Sequence, residues 1–382
     1  MIVAYGGLPF FVLLSALAVP AVVLGLLERR IKWYGLLATV VMVVALLAET
    51  PNQAVPFIAY LALQSILMKA HLWFIRVRGR QVAWERRIAV TLAILPLAIV
   101  KVTGLLPVPS LAFIGVSYLT FRATQVIVEI SDGLIKTLPL LDYLYFLTFF
   151  PALASGPIDR SRRFLQDANL GFDKVSYLRL VGHGLWLVLL GAFYKFALAG
   201  YFARQLPTLP HDLGGTVAYM YLYGFDLFFD FAGYSHMAVG VSYIFGIRTP
   251  INFRFPFLAE NIKDFWNRWH ISLSFWFRDF VYTRLLMAFL KRKTFSEKTT
   301  ASLVSFIVNM LVMGIWHGTT VHYVLYGLYH GLLLATNDAY ERRVSFHRRY
   351  HKQAWYRIAG IVTTFHLVMF GFLLFSGRLV SI

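Results

Sequence analysis

The chain has 382 residues, 59% of them hydrophobic, with 36 Lys and Arg against 18 Asp and Glu, a net charge of +18 and no cysteine. That apolar share exceeds the roughly half expected of a soluble domain, and the lack of Cys excludes disulfides, thiolate metal sites and a cysteine acyl-enzyme. The positive charge is not carried by any soluble aromatic–basic segment that could hold a nucleic acid, so it points to membrane lipid or an acidic partner.

Along the chain, uncharged runs occur at 8–27, 33–48, 231–247, 299–316, 318–337 and 358–377. Each approaches the roughly 20 helical residues needed to cross about 30 Å of hydrocarbon. Shorter or charge-flanked candidates lie at 50–68, 88–100, 102–121, 137–158 and 180–194. Backbone groups in lipid must pair within their own segment, so these runs are expected to be helices. The alternating strands of about 10 residues that build an outer-membrane barrel do not occur. The expectation is an all-α polytopic membrane protein, one integral domain over 1–382.

The first run has no basic residue before it and Glu28, Arg29, Arg30 and Lys32 after it, the reverse of a cleavable signal. Counting Lys and Arg places the N-terminus outside and the 28–32 loop in the cytoplasm. The same side should hold 69–87, Arg160 to Arg163, Lys291 to Lys293 and 341–352, whereas 50–56 carries no positive charge. The protein is therefore expected in the cell membrane with a basic inner face.

Residues 1–130 look like simple scaffold spans. From about 140 onward Gly, Pro, aromatic and charged residues enter the apolar runs. Pro151 and Pro157 flank FFPALASGPIDR and should break its helix, because each removes a backbone donor and clashes with the preceding turn. Broken backbone at membrane depth persists only where protein or a water-filled cavity covers it. Next, SGPIDRSRRF at 155–164 is a turn followed by cations that could hold a phosphate or simply mark a cytoplasmic loop. In FDLFFDFAGYSHMAVG, Asp226 and Asp230 lie one turn apart. They could position a substrate amine or pair with arginines such as Arg254 or Arg268.

The richest stretch is NIKDFWNRWHISLSFWFRDFVYTR at 261–284, with IWHG at 315–318. Ionisable groups in hydrocarbon cost several kcal/mol, so they need partners, water or chemistry. As a single helix over 265–282, the segment would put Asn267, His270 and Ser274 on one face and Arg268 elsewhere. His317, between Trp316 and Gly318, would suit a general base if burial keeps it neutral. Two histidines serving one transfer should converge on one cavity. Neither stands in HxxxH or HxxE spacing, so no metal is expected.

These segments, with FDFAGYSHMAVGVSYIFGIRTPINFRFPF and NMLVMGIWHG…YGLYHG, resemble the membrane-bound O-acyltransferase (MBOAT) family from about 140 to 340, in motif order. Within it the chain is most similar to the branch that D-alanylates teichoic acids in Gram-positive bacteria. Alginate O-acetylases usually carry a glycine-rich segment where this chain reads YTRLLMAFLKRK.

The resemblance implies a ring of about eleven crossing helices, with short tilted or re-entrant ones around a central cavity. It would comprise 1–130 as scaffold, 140–340 as catalytic core and 356–377 as a last span. It also implies His317 as the catalytic histidine and His270 as the second active-site position, with Asn267, Arg268, Ser274, Trp316 and Asp230 as substrate-binding candidates. No cofactor would be bound. The donor would be D-alanine thioesterified to phosphopantetheine on a small acidic carrier protein at the cytoplasmic face. The acceptor would be lipoteichoic acid, reached directly or through other membrane proteins of the D-alanylation system. The alternatives are acetyl transfer to an exported polysaccharide and, from another class, transport.

Overall fold

The computed structural model describes residues 2–79, 82–106 and 111–380, and every regular element among them is helical. Among the described residues, five helical stretches are long and apolar enough to cross a membrane: Leu8–Leu26, Pro51–Arg78, Lys174–Thr208, Lys298–His317 and Ala354–Ser376. The expected all-α polytopic architecture is what the chain adopts. The chain divides into two compact units, residues 1–192 with 234–250, and residues 193–233 with 251–382.

The first unit contains α1 (Leu8–Leu26), α2 (Lys32–Ala48), α3 (Ala54–Arg78), α4 (Ala83–Thr103), α5 (Val116–Ser131), α6 (Leu140–Thr148), α7 (Ser161–Asn169) and α8 (Lys174–Ala192). Its core mixes aliphatic and aromatic side chains, with Phe146, Phe149 and Phe164 among the buried residues. The proline-flanked segment breaks as the sequence requires. After α6 there is a single 3₁₀ turn over Phe150–Ala152, and the next helix begins only at Ser161.

The carbonyls freed by that break do not go unpaired. The buried Arg122 of α5 donates from Nη1 to the Leu147 carbonyl at 2.9 Å and from Nη2 to the Ala152 carbonyl at 2.6 Å. Tyr5 Oη donates to the Pro151 carbonyl at 3.1 Å. One guanidinium thus replaces the helical hydrogen bonds that Pro151 prevents. The following cations serve structure as well, since Arg163 is paired with both Asp159 and Asp167.

Two spans differ from expectation. The 231–247 run is the end of a longer helix, α10 (Leu213–Ile244), preceded by α9 (Gly200–Gln205). Its polar residues Asp226 and Asp230 had masked the continuity. The 102–121 run is not one span, because α4 ends at Thr103 and α5 starts at Val116; residues 107–110 lie outside the described residues.

The second unit holds α9 and the first part of α10. It continues with α11 (Ile262–Trp266), α12 (Ile271–Phe277), a π-helical turn over Arg278–Tyr282, α13 (Thr283–Arg292), α14 (Lys298–His317), α15 (Val321–Arg343), α16 (Ser345–Tyr350) and α17 (Ala354–Ser376). α14 and α15 form its tightest pair, and glycine makes that possible. A Cβ at Gly327 would stand 2.5 Å from the Met310 carbonyl oxygen, and one at Gly331 would stand 2.9 Å from the Ile307 Cα. Gly327 and Gly331 are spaced as GxxxG, which lets two membrane helices approach backbone to backbone.

Candidate active site

The expected single helix over 265–282 does not form. α11 is one short piece capped by Asn261, whose side chain accepts from the Asp264 N–H at 2.9 Å. The chain then turns at His270, which has φ 44° and ψ 51°, a left-handed conformation that costs a non-glycine residue about 1 kcal/mol or more. The physical reason is a clamp from the extended stretch before it. Ile271 N–H donates to the Asn252 carbonyl at 3.0 Å. The Ser272 hydroxyl and N–H both donate to Asn252 Oδ1, at 2.7 and 3.1 Å. Arg254 N–H donates to the Arg268 carbonyl at 3.0 Å. These bonds replace the helical ones that the kink removes.

The kink turns His270 inward. Its imidazole is 3% exposed, with Phe231 edge-on at 4.6 Å. Its Nε2 has no hydrogen-bond partner among the described residues. His317 ends α14. Phe375 meets its ring edge-on at 5.1 Å and Tyr326 at 6.1 Å. Both imidazoles line one cavity of about 50 Å3, whose other walls include Trp266, Trp269, Tyr326 and Phe375. The two histidines, 47 positions apart, therefore converge on a space of otherwise aromatic and aliphatic character.

Gly318 lets a neighbouring helix come close to His317. A Cβ there would fall 2.1 Å from the Tyr323 ring, so the glycine admits Tyr323, which stacks beside His317 at 6.3 Å. α11 is tied down by charge: Lys263 Nζ bonds Asp338 Oδ1 at 2.8 Å and Glu341 Oε2 at 2.7 Å on α15. The short helix that leads into His270 is thus fixed to α15.

The remaining candidates lie off the cavity wall. Asn267 is exposed at the end of α11. Arg268 bonds Asp264 Oδ1 through Nε at 2.8 Å. Ser274 Oγ donates to the Trp269 carbonyl at 3.1 Å. Trp316 lies against His317, ring centres 4.5 Å apart. Asp230 is exposed and paired with Lys195; the arginine partners Arg254 and Arg268 expected for the acidic pair are not used by it, because Lys195 stands beside α10. Sequence reasoning missed Asn252, Phe231 and Tyr326. A polar residue inside an apolar run was the one signal for Asn252, and the two aromatics had none. Among the described residues no group of three His, Asp or Glu side chains converges as metal ligands would.

Residues 45–376 match the model of the MBOAT, membrane-bound O-acyltransferase family. The chain is 39% identical to a teichoic acid D-alanyltransferase of Bacillus subtilis, over 98% of each chain. It is 39% identical to a teichoic acid D-alanyltransferase of Streptococcus thermophilus, over 98% of this chain and 95% of that one. A probable alginate O-acetylase of Pseudomonas fluorescens is 31% identical over 69% of this chain and 51% of its own length. With its apolar crossing helices, and with a match that runs through both histidine segments, the chain belongs to the membrane-bound O-acyltransferase family and is a multi-pass membrane protein.

Proposed function

We infer that the protein is a membrane-bound acyltransferase that transfers D-alanine to teichoic acid. The observation that carries this is the extent of likeness: the two D-alanyltransferases align over 98% of this chain, the alginate O-acetylase over 69%. Acetyl transfer to a polysaccharide is the weaker reading for that reason. The donor we propose is a D-alanyl thioester on the phosphopantetheine arm of a small acidic carrier protein. The acceptor is a hydroxyl of lipoteichoic acid, with other membrane proteins of the D-alanylation system alongside. We place the N-terminus outside and the basic loops in the cytoplasm, where their charge would steer an acidic carrier.

The chemistry is an exchange of one carbonyl bond for another. The acceptor oxygen attacks the thioester carbonyl, the new C–O bond forms, and the C–S bond breaks. One proton must travel from the hydroxyl to the departing thiolate. His317 is the proposed general base for the first half of that transfer and returns the proton in the second. His270, through its unpartnered Nε2, orients the acceptor or donates to the oxygen as negative charge builds on it.

The cavity of about 50 Å3 has room for only the reacting atoms. Its aromatic wall keeps bulk water from hydrolysing the thioester. Outside the wall, Trp316 lies against His317 and Arg268 is paired with Asp264. The test is donor choice. Purified protein in vesicles, given carrier loaded with labelled D-alanine or with labelled acetate, should esterify teichoic acid with D-alanine. Acetate transfer to polysaccharide at a comparable rate would overturn the assignment.

A further inference from the structure

A second pocket lies in the first unit, apart from the histidines. It encloses about 340 Å3, and its wall includes Lys69, Leu72, Trp73 and Arg76 of α3 facing Lys136 and Leu138. The four α3 residues are spaced i, i+3, i+4 and i+7, so one helical stripe presents cation, apolar, aromatic and cation in turn. Lys69 and Arg76 stand about 10 Å apart along the axis at 1.5 Å per residue.

Charge in this pocket is unbalanced. Among the described residues no carboxylate lines it. The acidic groups that could have served are engaged with other cations: Glu85 with Arg78, Asp132 with Arg86 and Asp142 with Lys32. Lys69 Nζ donates to the Leu138 carbonyl at 2.9 Å, which fixes the opposite wall and leaves its other donors to the pocket. Arg76 and Lys136 are exposed. Trp73, 58% exposed, stands between the two α3 cations, where an indole favours the boundary between hydrocarbon and headgroups.

We propose that this pocket binds the phosphate group of an anionic membrane lipid, with Arg76 and Lys136 on the phosphate and Leu72 and Trp73 against the start of its acyl chains. The exposed Arg76 with Leu72 and Trp73 one turn before it matches a molecule with a phosphate above hydrocarbon, while Lys69 is tied to the Leu138 carbonyl. A free phosphate would leave the apolar half unused. Topology alone calls for positive charge in the loops, but not for three cations on one cavity without a counter-charge.

The experiment uses the full chain in nanodiscs doped with bromine-labelled lipid, reading the tryptophan quenching that Trp73→Phe removes. Brominated phosphatidylglycerol should quench Trp73 at lower mole fraction than brominated phosphatidylcholine. The R76A/K136A double variant should lower that preference roughly thirtyfold, from the attraction of each of the two cations to anionic lipid. Its melting temperature reports that the fold is kept, and the single variants serve if the double one unfolds. Inorganic phosphate at millimolar concentration should not displace the lipid. Equal quenching by both lipids, an unchanged preference in the variants, or full displacement by inorganic phosphate would overturn the proposal.

Discussion

His270 is held in a conformation that most residues avoid. Its φ of 44° is accepted by asparagine with little strain and by β-branched residues with much more. His270→Asn should therefore keep the melting temperature near that of the parent, and His270→Val should lower stability by about 1–2 kcal/mol. A thermal melt in detergent compares the two, and equal melting temperatures would mean that the kink does not constrain the residue. Asn252 belongs to the same unit of structure. Asn252→Ala removes the Oδ1 to which the buried Ser272 hydroxyl and N–H both donate, a loss of about 1–3 kcal/mol for the two bonds. It should also slow D-alanyl transfer, because the kink that aims His270 loosens. The ester content of teichoic acid in cells expressing the variant measures that effect, and an unchanged content would detach Asn252 from the site.

At the scale of elements, the position of His317 depends on how closely α14 and α15 approach. A side chain at Gly327 would meet the backbone of Met310, so Gly327→Leu must push the helices apart and lower stability by about 1–3 kcal/mol. Transfer should fall with it, since the last residue of α14 moves. Gly182→Ala on α8, where a Cβ meets nothing within 4 Å, is the control. It should be neutral or stabilising by up to about 1 kcal/mol, because alanine favours a helix over glycine. Melting curves of the two variants decide between packing and a general intolerance of substitution.

Elements also show what a sequence can and cannot convey. The breaks at Pro151 and Pro157 were legible because proline forbids helix for a local reason. The break at His270 was not, since its cause is a side chain from Asn252, 18 positions away, that exchanges helical bonds for its own. Likewise α10 is longer than its apolar run, because Asp230 has Lys195 beside it and periodicity carries no sign of a partner. The pairing of the two histidines was legible as a requirement of chemistry, and Trp266 and Trp269 of the wall stand beside His270 in the sequence, whereas Phe231, Tyr326 and Phe375 come from α10, α15 and α17 and left no local signature.

At the scale of the whole molecule, a net charge of +18 acts on any charged molecule that approaches the protein. If it steers an acidic carrier, reversing Lys291, Arg292 and Lys293 to Glu should weaken carrier binding at low salt. Added salt should weaken the parent's binding more than that of the reversed variant, since exposed charges are screened beyond about 8 Å at physiological ionic strength. Binding of labelled carrier to nanodiscs at two salt concentrations checks this. Equal affinities at low salt would leave the charge to topology alone.

The central claim is that His317, at the end of α14 and on the wall of the shared cavity, moves the proton of the reaction. The direct measurement is the D-alanyl ester content of teichoic acid in cells whose own transferase is deleted and which carry either the parent or His317→Ala. Both must be present in the membrane at equal amount. The parent should restore the ester, and His317→Ala should leave it at the level of the deletion. Normal ester content with the alanine variant would contradict the account and remove His317 from the mechanism.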